Sequence, residues 1–85
     1  MAKRILVVDD EPDVVTYLST VLKDAGYETL EAANGEEALA QVAAGKPDLI
    51  TLDITMPEMT GVRTYRTLKE DAVLKKIPVI IVTGV

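Results

Sequence analysis

The stretch Ile5-Leu6-Val7-Val8-Asp9-Asp10-Glu11-Pro12 decides how the rest of the 85-residue chain is read. Four consecutive aliphatic residues suit a strand covered on both faces, as in a parallel sheet; a strand with one wet face alternates apolar with polar. The acidic triplet Asp9-Asp10-Glu11 then stands at the carboxyl end of that strand. Pro12 suits the first turn of a helix, where its missing N–H would have had no intrahelical partner.

Working outward, the same alternation recurs. Val14, Val15, Leu18, Val21, Leu22 and Ala25 repeat at helical spacing, leaving Thr16, Ser19, Lys23 and Asp24 for solvent, and Gly26 suits a left-handed cap. Tyr27 to Ala32 reads as a second strand, in which Glu28 and Glu31 have the character of an edge. Asn34 with Glu37 resembles a capping box for a helix that carries Ala38, Leu39, Val42 and Ala43 and stops at Gly45. Leu49 to Leu52 is a third strand, and a loop runs from Asp53 to Gly61. Val62, Tyr65 and Leu68 suggest a third helix ending between Glu70 and Lys76. After Pro78, Val79-Ile80-Ile81-Val82 is a fourth strand, apolar throughout.

Strands alternating with helices through short connections imply a single α/β domain over residues 1–85, with a mostly parallel sheet and right-handed crossovers. With the polar second strand at an edge and the first and third in the centre, the order is 2-1-3-4, a doubly wound, flavodoxin-like arrangement. Ligands in such folds bind beyond the carboxyl ends of the strands, where the order reverses between strands one and three.

Composition narrows the chemistry. No cysteine is present, so disulfides, zinc thiolates and thiol nucleophiles are excluded, and no histidine, so His-dependent catalysis and His-ligated metals are excluded too. A net charge of −5, with basic residues adjacent only in the short pairs Lys3-Arg4 and Lys75-Lys76 and forming no stripe, disfavours direct nucleic-acid binding. No apolar run approaches a membrane span or a signal-peptide core, which leads to the expectation of a cytoplasmic protein. Tyr17, Tyr27 and Tyr65 read as packing residues with wet hydroxyls, and Lys75-Lys76 as a solvated helix end.

Asp9 and Asp10 follow strand one, Asp53 follows strand three and Thr83 follows strand four, so four oxygen-bearing side chains are expected at one crevice. Crowded carboxylates repel unless a cation neutralises them. Hard oxygen ligands without nitrogen or sulfur suit Mg²⁺ or Mn²⁺, commonly in company with phosphate. The plainer alternative is that Asp9 and Asp10 cap the helix starting near Pro12. That alternative does not extend to Asp53, which a loop follows.

Ile5 to Pro12, the stretch Pro47-Asp48-Leu49-Ile50-Thr51-Leu52-Asp53-Ile54-Thr55-Met56-Pro57 with Gly61, and Pro78 to Thr83 together resemble the receiver domain of two-component response regulators. The resemblance runs from end to end. It implies that Asp53 accepts a phosphoryl group from the phosphohistidine of a sensor histidine kinase or phosphotransfer protein. It implies Mg²⁺ held by Asp10, by Asp9 largely through water, by Asp53 and by the backbone carbonyl of Thr55, with the Thr83 hydroxyl sensing the phosphoryl group. The module is on this reading a signalling phosphoprotein and not an enzyme.

Receivers of this kind continue after the Thr83 position through a fifth strand and two more helices, and carry a lysine that pairs with the phosphoryl group; Gly84 also stands where alanine is commoner. The expectation is therefore a truncated receiver, impaired in phosphorylation. Because strand four is apolar on both faces yet last in order, self-association through it or by exchange of elements is also expected. Two other classes stay open: a structural assembly unit that is not phosphorylated, and an aspartate-nucleophile phosphatase, to which Asp53-Ile54-Thr55 bears a faint similarity.

Overall fold

The apolar runs become strands and the periodic segments helices. A computed structural model of the chain describes residues 2–53, 60–70 and 74–82. In chain order these form β1 (Arg4–Val8), α1 (Pro12–Asp24), β2 (Glu28–Ala32), α2 (Gly35–Gly45), β3 (Leu49–Asp53), α3 (Thr60–Glu70), a 3-10 turn (Leu74–Lys76) and β4 (Val79–Val82). The strands make one parallel sheet in the order β2-β1-β3-β4, as the polarity of the second strand implied.

Register explains why the central strands read as unbroken apolar runs. Leu6 lies beside Leu30 and Ile50, and Val8 beside Ala32 and Leu52, so their side chains share one face. That face packs with Ala38 and Val42 of α2 and Leu68 of α3 to form the main core. Ile5 and Val7 point to the opposite face, and both are buried; α1 packs on β1 and β2. Each fully buried aliphatic side chain contributes about 1.5–3 kcal/mol.

The helix ends follow local chemistry. Asn34 accepts the Glu37 N–H at 2.8 Å, while the Glu37 carboxylate takes the N–H of Ala33 at 3.1 Å, closing the capping box one residue earlier than its usual form. Gly26, at φ 96°, closes α1 with a Schellman pair: its own N–H donates to the Lys23 carbonyl and the Tyr27 N–H to that of Leu22, both at 3.0 Å.

Several local expectations are corrected. Ser19, assigned to solvent, is only 3% exposed, whereas Val21 is exposed; the face of α1 turned to the sheet is centred on Val15 and Ser19. A serine fits there by size, and its hydroxyl has no hydrogen-bond partner among the described residues. Tyr17, Tyr27 and Tyr65 are all more exposed than packing residues would be, and among the described side chains of α3 Thr64 and Leu68, one turn apart, are buried; the Val62 side chain lies outside the described ones. The Lys69 ammonium lies 5.8 Å over the exposed Tyr65 ring. Helix α2 stops at Gly45 as expected, and the residue after it, Lys46, takes the left-handed conformation (φ 47°). A Cβ on Gly45 would meet the end of the Leu30 side chain.

Leu52→Ala, which empties a fully buried position, should cost about 2–5 kcal/mol in urea unfolding. Lys46→Gly should add about 1 kcal/mol by relieving the left-handed backbone. A loss in the second variant would mean that the lysine side chain makes a compensating interaction.

Candidate functional site

The parallel ladder between β1 and β3 matches Val8 with Leu52, so the next residue of each chain segment, Asp9 and Asp53, arrives at the same level on adjacent strands. Asp53 closes β3 and lies beside Val82 of β4. Asp9 is held by two contacts. Its N–H donates to the Ala32 carbonyl at 3.1 Å, extending the sheet by one step, and its Oδ1 accepts the Glu11 N–H at 2.9 Å, turning the chain into α1. The second contact gives the capping alternative part of its due, since Asp9 does organise the entry to α1. Glu11, the N-cap itself, makes no side-chain cap.

The carboxylates converge as the spacing implied. Asp9, Asp10 and Asp53 each offer an oxygen within 4.8 Å of the others. Asp9 and Asp53 are 5% and 4% exposed, and Asp10 is open to solvent. Burial raises the Asp9 pKa from its ordinary value, opposed by the Glu11 N–H; the charges of Asp53 and Asp10 and a hydrogen bond with Asp53 push it further upward. Two acids shielded from water and one facing it form a pocket open on one side, in which a small hard cation would find oxygen donors and keep room for water and phosphate.

Thr55 and Thr83, the other two residues expected here, lie outside the described residues. A cleft of about 330 Å³ runs from Asp9 and Asp10 toward the start of α1 and the end of β2. Thr16, Glu31 and Glu37 line it, residues that the sequence had marked only as helix surface, strand edge and cap. Their position in consecutive βα units, one at the end of β2 and two in the first turns or so of helices, is the signal that could have placed them.

Comparison with known proteins is consistent over the whole length. A family described as "Response regulator receiver domain" matches residues 5–85. The chain is 39% identical over 84 residues to the polar-differentiation response regulator DivK of Brucella anthropi, covering 99% of this chain and 68% of that protein. It is 42% identical to the phosphate regulon transcriptional regulatory protein PhoB of Pseudomonas aeruginosa, covering 99% and 37%. Among solved structures, the signal receiver domain of a histidine kinase from Syntrophus aciditrophicus superposes with a TM-score of 0.90 at 40% identity, covering 99% of this chain and 64% of that one. The chain thus spans about a third of the length of relatives such as PhoB and about two thirds of DivK.

The raised Asp9 pKa has a definite sign in stability. The folded carboxyl holds its proton more tightly than the unfolded one, so stability declines as pH rises from 3.8 through the folded value and is level above it. Asp9→Asn keeps an oxygen for the Glu11 N–H and removes the charge. In EDTA its melting temperature relative to the parent should be higher at pH 7 than at pH 4; an equal difference at both would show that the Asp9 charge carries no penalty.

Proposed function

Because the chain belongs to the family of response regulator receiver domains, we propose that it is a phosphoacceptor of two-component signalling, taking a phosphoryl group from a sensor histidine kinase or phosphotransfer protein onto Asp53. The observation that carries this reading is the placement of Asp53, buried at the end of a central strand with the Asp9 and Asp10 carboxylates beside it.

The chemistry follows from that placement. One Asp53 carboxylate oxygen attacks the phosphorus of the donor's phosphoimidazole. The new O–P bond forms as the N–P bond breaks, and the bonding pair leaves with the imidazole nitrogen, which then takes up a proton. Little covalent assistance is needed in such transfers, so positioning and charge control dominate. β3, paired on both sides, holds Asp53 in place. Asp9 and Asp10 fit the holding of Mg²⁺, with Asp53 and, from the family resemblance, the Thr55 carbonyl. Bound there, Mg²⁺ supplies the positive charge that lets a phosphoryl group approach three carboxylates. By the same resemblance the Thr83 hydroxyl reads the phosphoryl group. These 85 residues contain no histidine, so the donor imidazole lies outside them.

On this reading the domain is a switch and not a turnover enzyme, acts in the cytoplasm and addresses no nucleic acid itself. No helix among the described residues is long and apolar enough to cross a membrane.

Incubation with Mg²⁺ and a small phosphodonor, read by intact mass spectrometry, tests the proposal. The chain should gain one phosphoryl mass. Asp53→Asn should abolish the increment. Labelling that survives Asp53→Asn would overturn the assignment, and sustained donor hydrolysis would favour a phosphatase.

A further inference from the structure

Asn34 is the only asparagine of these 85 residues, and Gly35 follows it. The pair matters chemically because glycine has no Cβ to shield its backbone nitrogen or to restrict the chain around it. An asparagine amide that precedes such a nitrogen is open to attack by its own backbone. The product is a carboxylate where a neutral amide stood.

The fold places this pair at the junction between β2 and α2. Asn34 is the N-cap of α2, in extended backbone with ψ 177°, and Gly35 is the first helical residue and is buried. The first N–H groups of a helix have no acceptor in its own ladder, so the helix does nothing to hold the Gly35 proton. Protection comes from the cap. The Asn34 Oδ1 accepts the Glu37 N–H at 2.8 Å, and the Asn34 Nδ2 donates to the Glu37 Oε2 at 3.4 Å. Glu37 is itself fixed by the Ala33 N–H, which donates to its Oε1 at 3.1 Å. At the observed ψ the Gly35 nitrogen is staggered with respect to the Asn34 Cβ, whereas closing a five-membered ring requires the two to eclipse. The side-chain amide is therefore bonded at both its oxygen and its nitrogen, in a conformation that does not react.

We propose that Asn34 is a self-modification site gated by the α2 cap, at which opening of the first helical turn lets Asn34 convert to aspartate or isoaspartate. The inference is independent of phosphorylation. Once the turn opens, the deprotonated Gly35 nitrogen attacks the Asn34 Cγ. The bond from Cγ to the Gly35 nitrogen forms, the Cγ–Nδ2 bond breaks, and Nδ2 leaves as ammonia with the proton that Gly35 gave up. Water then opens the succinimide ring at one of its two carbonyls. Attack at Cγ gives aspartate; attack at the main-chain carbonyl gives isoaspartate, with the chain running through the former side chain. One water is consumed and one ammonia released, and neither oxidant nor metal takes part.

Both products bear on the acidic end of the molecule. Ala33 and Glu37, on either side of the modified residue, line the cleft that Asp9 and Asp10 also line. Aspartate still accepts the Glu37 N–H and is a good N-cap, but it no longer donates to the Glu37 carboxylate and sets two negative charges where a hydrogen bond stood. Isoaspartate adds a backbone atom between β2 and α2 and loses the cap geometry, at the start of the helix that carries Ala38 and Val42 into the core. Either change is one-way and adds a negative charge to a chain of net charge −5.

Composition makes the readout direct. Gln41 is the one glutamine and lies inside α2, so the mass increment of an amide turned to an acid reports on residue 34. The 85-residue chain is held at mildly alkaline pH, folded or in urea, and the peptide carrying residue 34 is followed by mass spectrometry with chromatographic separation of the isomers. In urea both isomers should form. In the folded chain conversion should be at least about tenfold slower, because local opening has to come first. Glu37→Ala removes both carboxylate contacts and leaves the Asn-Gly pair intact; it should speed conversion of the folded chain at least about twofold and leave the rate in urea unchanged. Ile50→Val weakens the core away from the cap and should leave the folded rate as it is, circular dichroism confirming that both variants stay folded. Equal rates folded and in urea, or equal acceleration by Glu37→Ala and Ile50→Val, overturn the gating by the cap. Absence of isoaspartate in urea, or an increment that persists in Asn34→Ser, overturns the site.

Discussion

Everything at the functional end of this molecule depends on one register, the parallel pairing of Val8 with Leu52. It brings Asp9 and Asp53 to the same level although they are far apart in the chain, and a shift of one residue would turn each strand's side chains to the other face. The register is held from below by the core. Leu6, Val8, Ile50 and Leu52 fill one face against α2 and α3, and any slip would move those residues out of it. The stability of the sheet and the proximity of the acids are therefore one constraint, and the raised Asp9 pKa is the cost borne by the fold.

That cost is informative. Desolvation and like charge destabilise an ionised carboxylate, and a chain selected for stability alone would place a neutral residue at Asp9. Two buried acids with a third exposed beside them make sense as a site that becomes comfortable only when positive charge arrives. On the proposed function, a ligand bound at such a site would bias the surrounding segments between two arrangements.

Much of this was legible from the amino acids. Continuous apolar runs identified strands buried on both faces, Glu28 and Glu31 marked β2 as an edge, and the acids following strands one and three located the crevice. The errors were of one kind. Ser19 was assigned to solvent because serine is polar, yet a close helix-to-sheet approach needs a small side chain more than an apolar one. Tyr65 was counted toward a buried face, whereas the buried side chains of α3 among the described residues are Thr64 and Leu68. In each case the deciding contact comes from a residue distant in sequence.

By itself the sequence determined the order of elements, the strand order and the chemical kind of the site, because those depend on periodicity, on the polarity of an edge and on which residue types follow a strand. Tertiary structure alone decided how close the three carboxylates come, which of them lose water, which face of α1 meets the sheet and that the apolar side chains of β4 stand exposed. Distance and solvation are properties of neighbours in space. They come into being only when β1 and β3 pair and the helices close over the two faces of the sheet.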